Sequence, residues 1–134
     1  MLSGVRASLM SDTKWRKLFI ALDRTGLELH QARVKFLDDE EVFTITVPRR
    51  CSLYPPHTFL DIFEFGPTAL RRIEWLEFPR SAVYERPSPN GTGRILEREA
   101  SQDVEKAKQI LERAGRFPLD LTETGLRITG HVRN

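Results

Sequence analysis

Residues 70–78 read Leu-Arg-Arg-Ile-Glu-Trp-Leu-Glu-Phe, and their apolar positions recur with a period of two. Apolar side chains fall on both sides of the extended chain, with Ile73 and Trp75 on one side and Leu70, Leu76 and Phe78 on the other. A strand that is apolar on both sides is typical of the buried interior of a sheet. This segment is therefore predicted to be an inner strand.

The segments on either side of this strand also have the composition of strands. Residues 27–36 and 42–47 alternate apolar and polar side chains around the acidic link 38–41, which indicates an antiparallel hairpin. The apolar segment 58–65 is predicted to be a strand that turns at Gly66-Pro67, and residues 82–84 form a further short strand. These strands follow one another through short links.

Helical spacing occurs twice. Four apolar residues of segment 13–23 fall at i, i+3, i+4 and i+7, namely Trp15, Leu18, Phe19 and Leu22. Ser11 or Asp12 is predicted to cap this helix. A second helix is expected, with Ser101 as its N-cap and Gly115 at its end. Its apolar residues at helical spacing are Val104, Ala107, Ile110, Leu111 and Ala114. Segments 117–121 and 124–130 then read as a closing hairpin.

The predicted fold class is α+β, a mainly antiparallel sheet with an N-terminal and a C-terminal helix packed on one face. The 134 residues fit one hydrophobic core. We expect residues 1–10 to be a flexible lead-in and residues 11–134 to form a single domain. Segments 48–57 and 86–94 are predicted to be irregular loops because of their proline and glycine content.

Composition narrows the classes of partner. Lys and Arg exceed Asp and Glu by only two, so nucleic acid is an unlikely partner. The single cysteine, Cys51, favours a reducing compartment, and no apolar stretch is long enough for a membrane span. We therefore expect a cytoplasmic protein with no cofactor, no metal and no membrane partner.

The residues with catalytic side chains form no recognised signature. Cys51 and His57 lie six residues apart in a proline-rich loop, where a structural cysteine is the better interpretation. Glu74 and Glu77 resemble an acid–base pair, but strand alternation predicts that they lie on opposite faces. The three histidines, His131 among them, are too dispersed for a metal site and are interpreted as surface residues. Trp15 and Trp75 are both interpreted as core residues.

The best candidate surface is an arginine cluster. It would combine Arg49, Arg50 and Tyr54 with Arg71 and Arg72, if these segments lie at neighbouring ends of the sheet. Arginine beside an aromatic residue is the composition of protein-binding hot spots and of single-strand nucleic-acid platforms. Solvated arginines paired with nearby carboxylates are the alternative.

Three motifs together resemble a family of small bacterial proteins of unknown function. They are Thr13-Lys14-Trp15 in the first helix, Ile73-Glu74-Trp75-Leu76-Glu77 in the central strand, and the ending Leu126–His131. His131 stands where the family has a tyrosine. The resemblance implies a bacterial, cytoplasmic, single-domain protein, and it implies no catalytic residues.

The sequence therefore leaves the function open and favours a non-enzymatic binding domain. Its most concrete version is an immunity-type protein that neutralises a bacterial toxin, so the expected partner is another protein. One alternative is an enzyme or small-molecule-binding domain with a pocket over the sheet. A second alternative is weak binding of RNA or single-stranded DNA through the arginines.

Overall fold

The computed structural model describes residues 4–48, 59–62 and 66–134. Its elements, in chain order, are β1 (Val5–Ser8), α1 (Asp12–Arg24), β2 (Gln31–Phe36), β3 (Val42–Thr46), β4 (Phe59–Ile62), β5 (Gly66–Ala69), a 3-10 turn (Leu70–Arg72), β6 (Ile73–Pro79), β7 (Ser81–Pro87), β8 (Arg94–Ser101), α2 (Val104–Ala114), β9 (Leu119–Leu121), β10 (Gly125–Thr129) and β11 (His131–Arg133). The protein is thus α+β with antiparallel strand pairing, as the sequence predicts.

A five-stranded antiparallel sheet of order β3-β2-β6-β10-β9 is the centre of the fold. β6 is its middle strand, which confirms the inner strand predicted from residues 70–78. Only the first part of that prediction differs, because Leu70–Arg72 form a 3-10 turn before the strand begins. The remaining strands form three two-stranded sheets, which pair β1 with β11, β4 with β5 and β7 with β8.

Helix α1 begins where the sequence predicts. The Ser11 hydroxyl accepts a hydrogen bond from the Lys14 backbone N–H at 3.1 Å, and this satisfies one of the free amides of the first turn. The four predicted apolar residues of α1 are all buried. Helix α2 ends at Gly115 as predicted, but it begins later than a cap at Ser101 would place it. Its N-cap is Asp103, which accepts from the Lys106 N–H at 3.0 Å. Ser101 is instead the last residue of β8.

Four strands are absent from the sequence prediction: β1, β5, β8 and β11. β5 begins at Gly66-Pro67, where the sequence predicts a turn. β1 lies within the segment that we expected to be a flexible lead-in, and it pairs with β11 at the other end of the chain. β8 reads Arg-Ile-Leu-Glu-Arg-Glu-Ala-Ser, and it is largely exposed, so it has no buried face to impose alternation. These strands are short or polar, and each depends on a partner strand for its structure.

One hydrophobic cluster joins the helices to alternate positions of the sheet. It includes Trp15 and Leu18 of α1, Val104 and Leu111 of α2, and the following strand residues: Ala32, Val34, Phe36, Ile45, Leu76, Phe78, Leu126 and Ile128. Successive side chains of a strand point to opposite faces of the sheet. The residues that alternate with this set therefore lie on the other face.

A buried glutamine connects the β7–β8 hairpin to the main sheet. The Gln102 side-chain oxygen accepts from the backbone N–H groups of His30 and Gln31 at 3.0 and 2.9 Å. Its amide nitrogen donates to the carbonyl oxygens of Gln31 and Pro79 at 3.1 and 2.8 Å. All four hydrogen-bonding positions of this side chain are used, which explains how a polar residue is accommodated in a buried place.

Candidate binding surface

The sheet face opposite the hydrophobic cluster is polar, and we call it the polar face. Its residues come from all five strands: Val42, Thr44 and Thr46; Arg33 and Lys35; Trp75 and Glu77; Arg127 and Thr129; and Asp120. All of them except Glu77 are exposed or half-buried. The polar face is therefore open to solvent along all five strands.

A row of five residues crosses the polar face at one level of the sheet. The strand registers place Thr44 opposite Arg33, Arg33 opposite Glu77, Glu77 opposite Arg127, and Arg127 opposite Asp120. Opposite charges on directly opposed residues of neighbouring strands stabilise a sheet. The register alone thus aligns the arginines on the two sides of one carboxylate.

Glu77 is the centre of this row. One carboxylate oxygen lies 3.3 Å from the Arg33 guanidinium, and the other lies 3.6 Å from the Arg127 Nε. The second oxygen also accepts a hydrogen bond from the Thr124 hydroxyl at 3.3 Å. A carboxylate that is shielded from water requires such partners, because burial without them is costly.

Trp75 lies on the polar face rather than in the core, so the interpretation of Trp75 as a core residue is wrong. It is half-buried, and the Arg127 guanidinium carbon lies 3.9 Å from its ring centroid. This is a cation–π contact. Trp15, by contrast, is fully buried in the hydrophobic cluster, as predicted.

Glu74 has two cationic partners of its own. Its Oε1 lies 3.2 Å from Lys35 Nζ and 2.6 Å from Arg133 Nε. Burial alone would raise the pKa of Glu74, but hydrogen bonds from Arg133 and Lys35 outweigh it and hold the pKa below its ordinary value of 4.5. Glu74 is therefore a fixed anion, which makes it poorly suited to donate a proton.

The prediction that Glu74 and Glu77 lie on opposite faces of the sheet is wrong, as the positions of their cationic partners show. Lys35 and Arg33 are two residues apart on β2 and so point to the same face, and each contacts one of the two glutamates. The cause is a register shift between β2 and β6, where Lys35 pairs with Trp75 but Phe36 pairs with Ile73. Glu74 is the extra residue of this bulge, so regular alternation does not hold there.

Solvent reaches the cations of the polar face more than it reaches the anion between them. The side chains of Arg33 and Arg127 are 44% and 39% exposed, whereas that of Glu77 is only 6% exposed. The formal charges nearly balance, yet the groups at the surface are the guanidiniums. The centre of the polar face therefore presents positive charge to solvent, with the exposed Asp120 at its edge.

The predicted arginine cluster is only partly within the described residues. Arg49, Arg50 and Tyr54 lie outside them, as do Cys51 and His57. Whether these residues meet Arg71 and Arg72 therefore stays a prediction.

Arg71 and Arg72 have carboxylate partners on different elements. Arg71 donates to Asp12 of α1 through its backbone N–H at 2.7 Å and through its guanidinium at 3.2 Å. Arg72 pairs with Asp38, in the link after β2. The predicted alternative, arginines paired with nearby carboxylates, describes both residues.

His131 was interpreted as a surface histidine, but it is buried. Its Nε2 lies 2.6 Å from the Arg71 carbonyl oxygen, and its Nδ1 lies 2.8 Å from the Ser8 hydroxyl. Because a carbonyl oxygen only accepts, Nε2 donates to it, and Nδ1 shares the second hydrogen bond with the Ser8 hydroxyl. His131 thus ties β1 and β11 to the 3-10 turn.

Two shallow depressions adjoin the polar face. One has a volume of about 400 Å³ beside Glu77, Asp120 and Arg127. The other has about 340 Å³ and lies beside Thr44, Thr46 and the β7–β8 hairpin. Within the described ranges, no three His, Cys, Asp or Glu side chains are grouped as metal ligands. No helix in those ranges is long and apolar enough to cross a membrane.

Fold and surface together define a class: a small α+β domain whose antiparallel sheet exposes a charged, tryptophan-containing face. The chain belongs to a family of unknown function, DUF6678, whose model matches residues 5–134. This agrees with the resemblance to an uncharacterised family. No curated protein and no solved structure matches the chain.

Proposed function

We propose that this protein is a non-enzymatic protein-binding domain, and that its polar face binds an acidic surface of another protein. The observation that carries this proposal is the difference in exposure between the two arginines and the glutamate between them. Arg33 and Arg127 reach solvent while Glu77 is covered, so an acidic partner gains access to cations that are already held in place. Arginine and tryptophan are also the residues most enriched in binding hot spots.

The arrangement of the core supports an uncovered polar face. Buried residues of α1 and α2 share one cluster with the other side of the sheet, and we infer that both helices lie on that side. Thr44 and Thr46 of the polar face are exposed, and Arg127 and Thr129 are half-buried. A broad, shallow surface of this kind suits another protein better than a small molecule, which needs a concave site.

The carboxylates of the sheet favour recognition over acid–base chemistry. Glu74 has a lowered pKa and two cationic partners, and Glu77 is engaged at both oxygens. A general acid needs a raised pKa instead. Arg127 already occupies the Trp75 ring at 3.9 Å, which also disfavours base stacking by a nucleic acid on this residue.

The most concrete version of the proposal is an immunity-type bacterial protein in the cytoplasm. Such a protein needs only to cover a toxin's surface, and it needs no catalytic group of its own. A toxin with an acidic contact surface would fit the polar face by charge complementarity.

Affinity capture from the host's lysate with variants at Thr44 tests the proposal. Thr44 is exposed and lies opposite Arg33, and changing it leaves every contact of Glu77 intact. Thr44→Glu places a negative charge beside Arg33 and should reduce capture of the partner about tenfold, whereas Thr44→Lys should increase capture. Gln109→Glu, on the exposed surface of α2, makes the same charge change at a remote site and should have no effect.

The outcomes separate the alternatives. A stoichiometric protein whose capture depends on the charge at residue 44 supports the proposal. Capture that is lost after nuclease treatment of the lysate would identify a nucleic acid and overturn it. Capture that is equal for Thr44→Glu and Thr44→Lys would show that another surface makes the contact.

A further inference from the structure

The β7–β8 hairpin is exposed to an unusual degree. Seven of the eight residues of β8 are exposed, and the hairpin pairs with no other strand in the described part of the chain. Three of the five large hydrophobic residues that are exposed in the described ranges belong to it: Val83, Ile95 and Leu96. Leu96 is the most exposed of them at 57%. A two-stranded ribbon with so little burial is only marginally stable by itself.

The two edges of the hairpin differ. On the β7 edge, the Gln31 side chain accepts from the Val83 backbone N–H at 3.0 Å and donates to the Val83 carbonyl oxygen at 2.8 Å. This edge is therefore covered at its centre. The β8 edge has no such contact among the described residues. An uncovered edge of eight residues without proline is a template for pairing with another strand.

We propose that two copies of this chain pair through antiparallel β8 strands, forming a symmetric dimer with a continuous four-stranded sheet. The charges of β8 point to a second copy as the occupant. The midpoint of Arg94–Ser101 lies between Glu97 and Arg98, so the register that pairs all eight residues places Glu97 of each copy opposite Arg98 of the other. A twofold axis generates this complementary pair twice.

The two registers shifted by one residue are unfavourable because they place like charges opposite each other. A twofold axis through Glu97 places Glu97 opposite its own copy, and an axis through Arg98 does the same for Arg98. Like charges that are directly opposed destabilise a strand pair. The full-length register also brings Ile95 opposite Ala100, which covers part of the exposed apolar surface.

The two central charges are available for this pairing. Glu97 is the extra residue at the register shift between β7 and β8, and it forms no ion pair within the described residues. Arg98 stacks on Tyr84 with its guanidinium carbon 4.2 Å from the ring centroid. This cation–π contact fixes the arginine without neutralising its charge.

Sedimentation velocity on charge-reversed variants tests the dimer. Glu97→Arg would place two arginines opposite two arginines, and Arg98→Glu would place two glutamates opposite two glutamates. Each variant alone should dimerise at least about tenfold more weakly than the wild type. An equimolar mixture of the two should recover the dimer, because every arginine then faces a glutamate. Glu40→Arg, at an exposed position in the link before β3, is the matched control and should dimerise like the wild type.

The mixture makes the experiment independent of folding defects, since a misfolded variant cannot be rescued by another. Recovery in the mixture supports the β8–β8 pairing in this register. A wild-type protein that stays monomeric at about 100 μM overturns the inference. A dimer that is insensitive to both substitutions also overturns it, because the contact would then lie elsewhere. The readout is self-association, so the result does not depend on whether the polar face binds an acidic protein.

Discussion

Replacing Glu77 by glutamine removes one negative charge from the centre of the polar face while preserving the shape of the side chain. The carboxylate of Glu77 faces two guanidiniums, one on each oxygen. A glutamine retains one accepting oxygen, but its NH₂ group must point at one of the two arginines. Donor then faces donor on that side, and the neutral side chain loses the attraction on the other.

The expected loss of stability follows from the distances and the exposure. Hydrogen bonds to charged groups contribute roughly 1.5–3 kcal/mol when they are short and shielded. Here the contacts are 3.3 and 3.6 Å long, and both arginines are about two-fifths exposed. Each contact is therefore expected to contribute less than this range of energies. About 1 kcal/mol for each contact gives a total of about 2 kcal/mol. For a domain of this size, the melting temperature should fall by about 8 °C.

Urea unfolding followed by tryptophan fluorescence measures the change, since Trp75 lies beside Arg127. Glu112→Gln is the matched control, because Glu112 is exposed and its one ion pair among the described residues is with Lys108, one helical turn away. That substitution should cost no more than about 0.5 kcal/mol. If Glu77→Gln is also within about 0.5 kcal/mol of the wild type, the row of charges contributes little to the fold and the reasoning is refuted.

Three further substitutions test the fold and its charges. Gly130→Ala should unfold the protein or destabilise it by at least about 3 kcal/mol, because the added Cβ would lie 2.1 Å from the Ile73 carbonyl oxygen. Gly115→Ala is the control, because its Cβ would meet the flexible end of Lys17 at 3.2 Å and the Phe117 ring at 3.5 Å. Equal melting temperatures of the two variants would contradict the close approach at Gly130. Gln102→Leu should lower the free energy of unfolding in urea by about 3–4 kcal/mol, since four backbone groups lose their partner at about 1 kcal/mol each. A loss below about 1 kcal/mol would contradict this count. The folded-state pKa of Glu74 is lowered, so its ionised form contributes stability that is fully present above its ordinary pKa of 4.5 and is lost as the pH falls through the folded-state pKa. The stability difference between the wild type and Glu74→Gln should thus be constant from about pH 7 to about pH 5 and shrink in acid, and a difference that grows in acid would contradict the sign.

The elements that the sequence predicts correctly are those with a strong local pattern. α1 has four apolar residues at helical spacing and a serine at its N-terminus, and β6 has apolar side chains on both sides. Such patterns report burial of a segment without reference to its neighbours. α2 is equally regular, and only its cap was misplaced, because β8 continues to Ser101.

The polar face could not be predicted because it depends on register. Arg33, Glu77 and Arg127 come from three strands that are far apart in the chain, and only their pairing makes them neighbours. A shift of one residue would have turned each of them to the other face. The bulge at Glu74 adds a local exception that no regular alternation contains. The sequence does contain a signal, since polar residues alternate with apolar ones on both β2 and β10, but this alternation does not identify the partner strand.

The proposed binding of an acidic partner would also benefit from the arrangement of the polar face. An arginine that is free in solution must lose much of its rotamer freedom when it binds, at a cost of roughly 0.5–1.5 kcal/mol. Arg33 and Arg127 are held by Glu77, and Arg127 is further held by the Trp75 ring, so much of this ordering occurs when the domain folds. The buried carboxylate thus has two effects: it balances the charges within the fold, and it holds their exposed ends in place for an acidic partner. Glu77→Gln should consequently weaken partner capture by more than the loss of folded protein accounts for, although the substitution makes the surface more positive. If capture strengthens instead, net charge rather than preorganisation governs binding.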